Sequence, residues 1–194
     1  MQESLISAIK QYLPDMNSED LEKGLSFFEK RQFKAKEHIS EAGTIANYLF
    51  FANDSITRCY YLDHDGNEQT LWMKPEKTFI AEFKSFTTQE KSTFSLQLYE
   101  DTEVWMISRE NLNTLFKESN DWARFGIQLM ESVHVTLIDV FVNLLANDAT
   151  RNYQYIEYAF PRFIQVAPLK DIASMLQVSQ VTLSRIRSGT QLKG

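Results

Sequence analysis

The stretch Pro168-Leu169-Lys170-Asp171-Ile172-Ala173-Ser174-Met175-Leu176-Gln177-Val178-Ser179-Gln180-Val181-Thr182-Leu183-Ser184-Arg185-Ile186-Arg187 carries the most informative pattern in the chain. It has room for two helices of two to three turns with a tight turn between them. Ile172 and Leu176 lie one helical turn apart and form the inner face of the first helix. Ala173 is small where two helices must cross closely, and Val178 should point inward from the turn. Leu183 and Ile186 form the inner face of the second helix. Ser179 stands where an N-cap belongs, its hydroxyl placed to accept a backbone amide of the first turn. Gln177 occupies a turn position that commonly holds glycine. The chain there must adopt a left-handed conformation at some cost or use a different turn.

A second helix so placed exposes Gln180, Val181, Ser184 and Arg185. These side chains suit the edges of base pairs in a major groove. Arginine pairs with guanine O6 and N7, glutamine with adenine, and valine packs on a thymine methyl. Lys170, Ser179 and Thr182 are expected phosphate contacts, which position a protein without specifying sequence, and Arg187 adds positive charge beside them. The pattern predicts a helix-turn-helix that binds double-stranded DNA. The plainer alternative is a helical hairpin with a solvated basic face.

Charge points the same way once its distribution is considered. The net charge of the 194-residue chain is -6, which by itself disfavours a polyanion. From Pro161 to Gly194, however, Arg162, Lys170, Arg185, Arg187 and Lys193 face only Asp171. That end carries +4 and leaves -10 on the remainder. A basic end on an acidic body can orient a protein on nucleic acid.

The rest of the chain predicts an α+β architecture. Leu5, Ile6 and Ile9 recur at helical spacing before Pro14. Ser18 is placed as the N-cap of a second helix, with Glu19 and Asp20 in its first turn and Leu21, Leu25 and Phe28 as its stripe. From Phe33 to Ile107 short apolar or alternating runs are separated by turn residues, which suggests a sandwich or jelly roll. The runs are Tyr48–Ala52, Ile56–Leu62, Thr70–Met73, Thr93–Leu98 and Val104–Ile107. Asp63-His64-Asp65-Gly66-Asn67 between two of them reads as a hairpin loop. A long helix follows over Asn120–Asn147. Met130, Val133, Leu137, Val140 and Leu144 repeat at steps of three and four, and Phe125, Leu129, Ile138, Phe141 and Leu145 widen the apolar surface. A helix apolar on two sides must bury both: one side on its own domain and the other on a second copy, which the DNA reading favours, or both within one monomer core. A further helix is expected over Arg151–Phe160, ended by Pro161. The domains are predicted as 1–118, 119–147 and 148–194.

In this order the elements resemble the Crp/Fnr family of bacterial regulators, above all its shorter members that end soon after the Val181-Thr182-Leu183-Ser184-Arg185-Ile186-Arg187 run. Glu41-Ala42-Gly43, Phe50-Phe51 and Arg58-Cys59-Tyr60-Tyr61 fit the family's roll. The resemblance implies an N-terminal β-roll, a cyclic-nucleotide-binding-like jelly roll, then a long dimerisation helix and a C-terminal helix-turn-helix. It also implies a homodimer on a two-fold symmetric DNA site, contact with RNA polymerase, and a small-molecule effector. The phosphate cassette departs from the family pattern. Phe79-Ile80-Ala81-Glu82 keeps the glutamate without the glycine, and Lys91-Ser92-Thr93 puts a serine where the arginine belongs. Glu82, Lys91, Ser92 and Thr93 are the candidate effector residues. Ordinary cyclic AMP binding is disfavoured, because the bidentate arginine contact to phosphate is lost. Asp54 also stands where the family often has glycine.

Other chemistry finds little support. His38, His64 and His134 share no ligand spacing, and the lone Cys59 reads as a buried strand thiol. No metal or cofactor is expected. The Asp63–Glu68 loop lacks the full calcium-loop pattern. No nucleophile elbow, phosphate-cradling loop or catalytic cluster supports an enzyme. Met1-Gln2-Glu3-Ser4 is not a leader-like start. Glu131, His134 and Asp139 interrupt the longest apolar stretch, so no membrane span is expected. A cytoplasmic regulator is the resulting expectation. The alternative is a ligand-binding signalling module whose DNA-binding segment is vestigial.

Overall fold

The computed structural model describes residues 2–189. Two helices open the chain, α1 (Gln2–Tyr12) and α2 (Ser18–Leu25). Asn17, not Ser18, is the N-cap of α2: its side chain accepts the Asp20 amide at 2.8 Å, and Ser18 is already helical. Both residue types cap well, and pattern alone could not place the boundary to one residue.

Eight strands follow: β1 (Glu29–Phe33), β2 (His38–Ser40), β3 (Tyr48–Ala52), β4 (Thr57–Leu62), β5 (Glu68–Lys74), β6 (Thr78–Ile80), β7 (Ser95–Leu98) and β8 (Thr102–Ser108). A short helix, α3 (Phe83–Thr88), interrupts them after β6. The strands form two antiparallel four-stranded sheets, ordered β1-β8-β3-β6 and β2-β7-β4-β5. Phe50, Ala52, Ile80, Leu96, Leu98 and Val104 fill the space between them. Leu49 and Phe51 point the other way, into a core shared with α1 and the later helices. β3 is thus buried on both faces, which is why its sequence is an unbroken apolar run rather than an alternation. The β4–β5 hairpin turns as expected. Asp63 holds it, its carboxylate accepting the amides of Asp65 and Asn67, with Gly66 at a φ of 80°. A bulge at Cys59/Tyr60 shifts the register of this hairpin.

The helices α4 (Arg109–Glu118) and α5 (Asn120–Ala146) lead out of the roll. Ser119 ends the first and caps the second, accepting the Trp122 amide. Trp122, Phe125, Leu129 and Val133 dock the first half of α5 against α1, α2 and β3. Gly24 is required here. A Cβ on it would sit 1.9 Å from the Trp122 ring, while the indole Nε1 donates to the Asp20 carbonyl at 2.7 Å.

Four more helices complete the described chain: α6 (Ala149–Ala159), α7 (Pro161–Val166), α8 (Leu169–Met175) and α9 (Gln180–Arg187). α6 starts two residues earlier than expected because Asp148 caps it, accepting the Arg151 amide. Pro161 does more than end it. It opens α7 at the first helical turn, where its missing N–H costs nothing. Lys193 lies outside the described residues, as does the end of the expected 148–194 segment.

Candidate nucleic-acid interface and effector cavity

The α8–α9 pair follows from the apolar positions. Ile172, Ala173, Leu176 and Leu183 are buried together, and Val178 and Ile186 pack against them. Gln177 adopts the left-handed conformation, with φ at 55°. Two backbone bonds hold it: Val178 N–H donates to the Ala173 carbonyl at 3.0 Å and Gln177 N–H to Ser174 at 3.1 Å. This is a Schellman closure with glutamine in the glycine position, tolerated at a strain on the order of 1 kcal/mol. Ser179 caps α9, accepting the Thr182 amide at 3.1 Å, and its hydroxyl also pairs with that of Thr182 at 2.9 Å. Gln180, Val181, Thr182, Ser184, Arg185 and Arg187 are exposed along α9, Val181 to 61%. Arg187 is near enough to Tyr153 to stabilise its phenolate, although burial and Glu157 outweigh that and push the phenol up. Lys170 extends into solvent near Glu68.

The other helix of the pair is anchored to the roll. Asp171 is buried, with Oδ1 3.1 Å from Nη2 of Arg58 on β4. This is an ion pair rather than an aligned hydrogen bond, because Nη2 has no hydrogen-bond partner of good geometry. Nη1 of the same arginine donates to Glu68 at 2.7 Å and Nε to Thr70 at 2.9 Å. Tyr99 donates its hydroxyl to Asp171 at 3.0 Å. Burial first, and then the Asp171 charge, push that phenol upward. Ser174 on α8 donates to the Thr70 hydroxyl and accepts the Thr70 amide. Arg162 on α7 is bound to Glu76 and Glu100 at 2.9 and 2.7 Å. Two charges counted in the basic end, Arg162 and Asp171, are therefore committed to the roll.

A cavity of about 470 Å³ lies between the roll, α5 and α6–α8. Glu82 lines it, but both carboxylate oxygens accept amides of α3, from Lys84 and Ser85. Lys91, Ser92 and Thr93 do not line it. Lys91 and Thr93 are exposed. Ser92 is buried in a turn, its hydroxyl bonded to the Phe94 backbone and its own backbone to Gly43 and Thr44. The four candidate effector residues are thus not one cluster. Cys59 sits in the cavity wall, and burial drives its thiol upward, away from reactivity. Lys74, which the sequence did not single out, also lines the cavity. Among the described residues, no three His, Cys, Asp or Glu side chains are grouped to hold a metal ion.

Two packed antiparallel sheets, a short helix after β6 and a long exit helix define a known module. Residues 30–119 match the cyclic nucleotide-binding domain. No curated protein matches the chain. Among solved structures, FixK2 from Bradyrhizobium japonicum aligns with a TM-score of 0.68 at 16% identity, covering 86% of this chain and 89% of that one. The c-di-GMP-responsive global regulator CLP of Xanthomonas campestris aligns with a TM-score of 0.68 at 17% identity, covering 92% and 96%. The catabolite activator protein of Thermus thermophilus gives 0.56 at 19% identity, covering 92% and 85%. At these identities the likeness is one of fold. It extends beyond the cyclic nucleotide-binding domain to the long helix and the helices after it.

Proposed function

We propose that the chain is a dimeric, sequence-specific DNA-binding transcription regulator of the Crp/Fnr type. The observation that carries this is the α8–α9 pair, whose apolar side is buried while, among the described residues, α9 exposes a polar face. Gln180, Val181 and Arg185 read bases. Lys170, Ser179, Thr182, Ser184 and Arg187 hold the backbone or flank the contact. Residues 1–118 form the effector domain, 119–147 the dimerisation helix and 148–194 the DNA-binding domain. RNA polymerase contact is part of the same reading, by resemblance.

The second half of α5 supports a dimer. Leu137, Ile138, Phe141, Val142 and Leu145 are 49–72% exposed and follow one another along one stretch of helix, and contiguous exposed apolar surface marks interaction sites. By length and hydropathy α5 could span a membrane. Its first half is instead docked on the roll through Val133. The remaining 13 residues reach roughly 20 Å, short of a hydrocarbon core about 30 Å thick. A second copy is the better cover, and a cytoplasmic setting follows from the proposed role.

Arg185→Ala tests the assignment. On a bound site selected by the parent it should cost about 1–3 kcal/mol and relax preference at one base pair. Unchanged affinity and preference would remove Arg185 from the reading surface.

A further inference from the structure

The cavity has an unusual electrostatic composition. Its wall is built from Trp72, Phe79, Val133, Ile156 and Phe163 among other apolar side chains, and its volume falls in the range of small-molecule sites, about 300–1,000 Å³. Lys74, at the end of β5, is among the residues that line it. Burial pushes the Lys74 ammonium below the usual lysine range. Glu82 lines the same cavity but makes no ion pair with Lys74, and each of its carboxylate oxygens accepts an α3 amide. The same bonds remove those amides as donors to a phosphate, and Ser92 is spent on its own turn. The cavity therefore offers apolar surface and two lysines with no ion pair among the described residues, the half-buried Lys74 and the exposed Lys84, without the donor cradle that a phosphodiester needs.

We infer that this cavity binds an apolar carboxylate, an aliphatic or aromatic monoacid, with its carboxylate on Lys74 and its body along α5 and α6. Such a molecule neutralises the half-buried charge and fills the apolar volume together. It also touches both halves of the protein, since Met175 of α8 lines the same cavity as Trp72 of β5. Its use as an effector rests on the DNA-regulator reading. Its binding does not, and is measured without DNA.

The test is calorimetric titration of the full chain with decanoate, decanol and cyclic AMP. Decanoate should bind saturably, and decanol at least about tenfold more weakly. Lys74→Met should bring decanoate down to the level of decanol while leaving decanol unchanged, and Lys74→Arg should keep the preference. If Lys74→Met also lost decanol binding, the variant would have lost the cavity. The parent's decanoate-to-decanol ratio and the Lys74→Arg result then decide. No decanoate binding, equal binding of decanol, or displacement of decanoate by cyclic AMP would overturn the inference. Binding of decanoate by a chain that selects no DNA would leave the site standing and remove only its regulatory role.

Discussion

Nη2 of Arg58 and Oδ1 of Asp171 lie 3.1 Å apart with both side chains nearly sealed from water, joining a strand of the roll to α8. A buried pair is not automatically stabilising, but removing one member strands the other charge. Arg58→Ala should therefore lower the unfolding free energy by about 3–5 kcal/mol. The double variant Arg58→Ala/Asp171→Ala should lose less than the sum of the two singles, by about 0.5–3 kcal/mol. Urea denaturation of the four proteins checks this, and strict additivity would show that the two residues do not act as a pair.

Glu68 sets an acid limit. The hydrogen bond from Arg58 holds its carboxyl below the usual range despite some desolvation. A depressed folded pKa stabilises the protein above the unfolded value, and this is lost as pH falls through the folded one. The window lies below about pH 4, the ordinary glutamate range. Asp63 and Asp101 are shifted in the same direction by their own hydrogen bonds. Glu68→Gln should flatten the acid limb of stability against pH without abolishing it. Denaturant midpoints between weakly acidic and acid buffers give the slope, and an unchanged slope would contradict the assignment.

The free stripe of α5 makes a quaternary prediction. The parent should sediment as a dimer at micromolar concentration. Phe141→Glu, which places a charge in the middle of the stripe, should sediment as a monomer with unchanged far-UV circular dichroism. A monomeric parent would leave the stripe without its proposed cover.

The two C-terminal helices, the hairpin at Gly66 and the long helix were legible because each rests on short-range spacing. Ile172 and Leu176, or Asp63 and Gly66, lie within a turn of each other. β1 was not legible, since four of its five residues are exposed and its charged run Glu29-Lys30-Arg31 shows no alternation. β2 and β6 are only three residues long. Asp171 read as a lone acid in a basic segment, because Arg58 on β4 and Tyr99 just after β7 reach it from far along the chain. Lys74 was missed for the same reason. Its place in the cavity wall is a property of the fold, and spacing in the chain carries no trace of it.

The proposed function depends on α9 reading DNA sequence. Selection from a pool of random duplexes by the full chain tests it most directly. The selection should enrich a two-fold symmetric site with half-sites about 34–36 Å apart centre to centre, with affinity falling steeply as salt rises. Failure to enrich any sequence, with equal binding to every duplex in the pool, would contradict it.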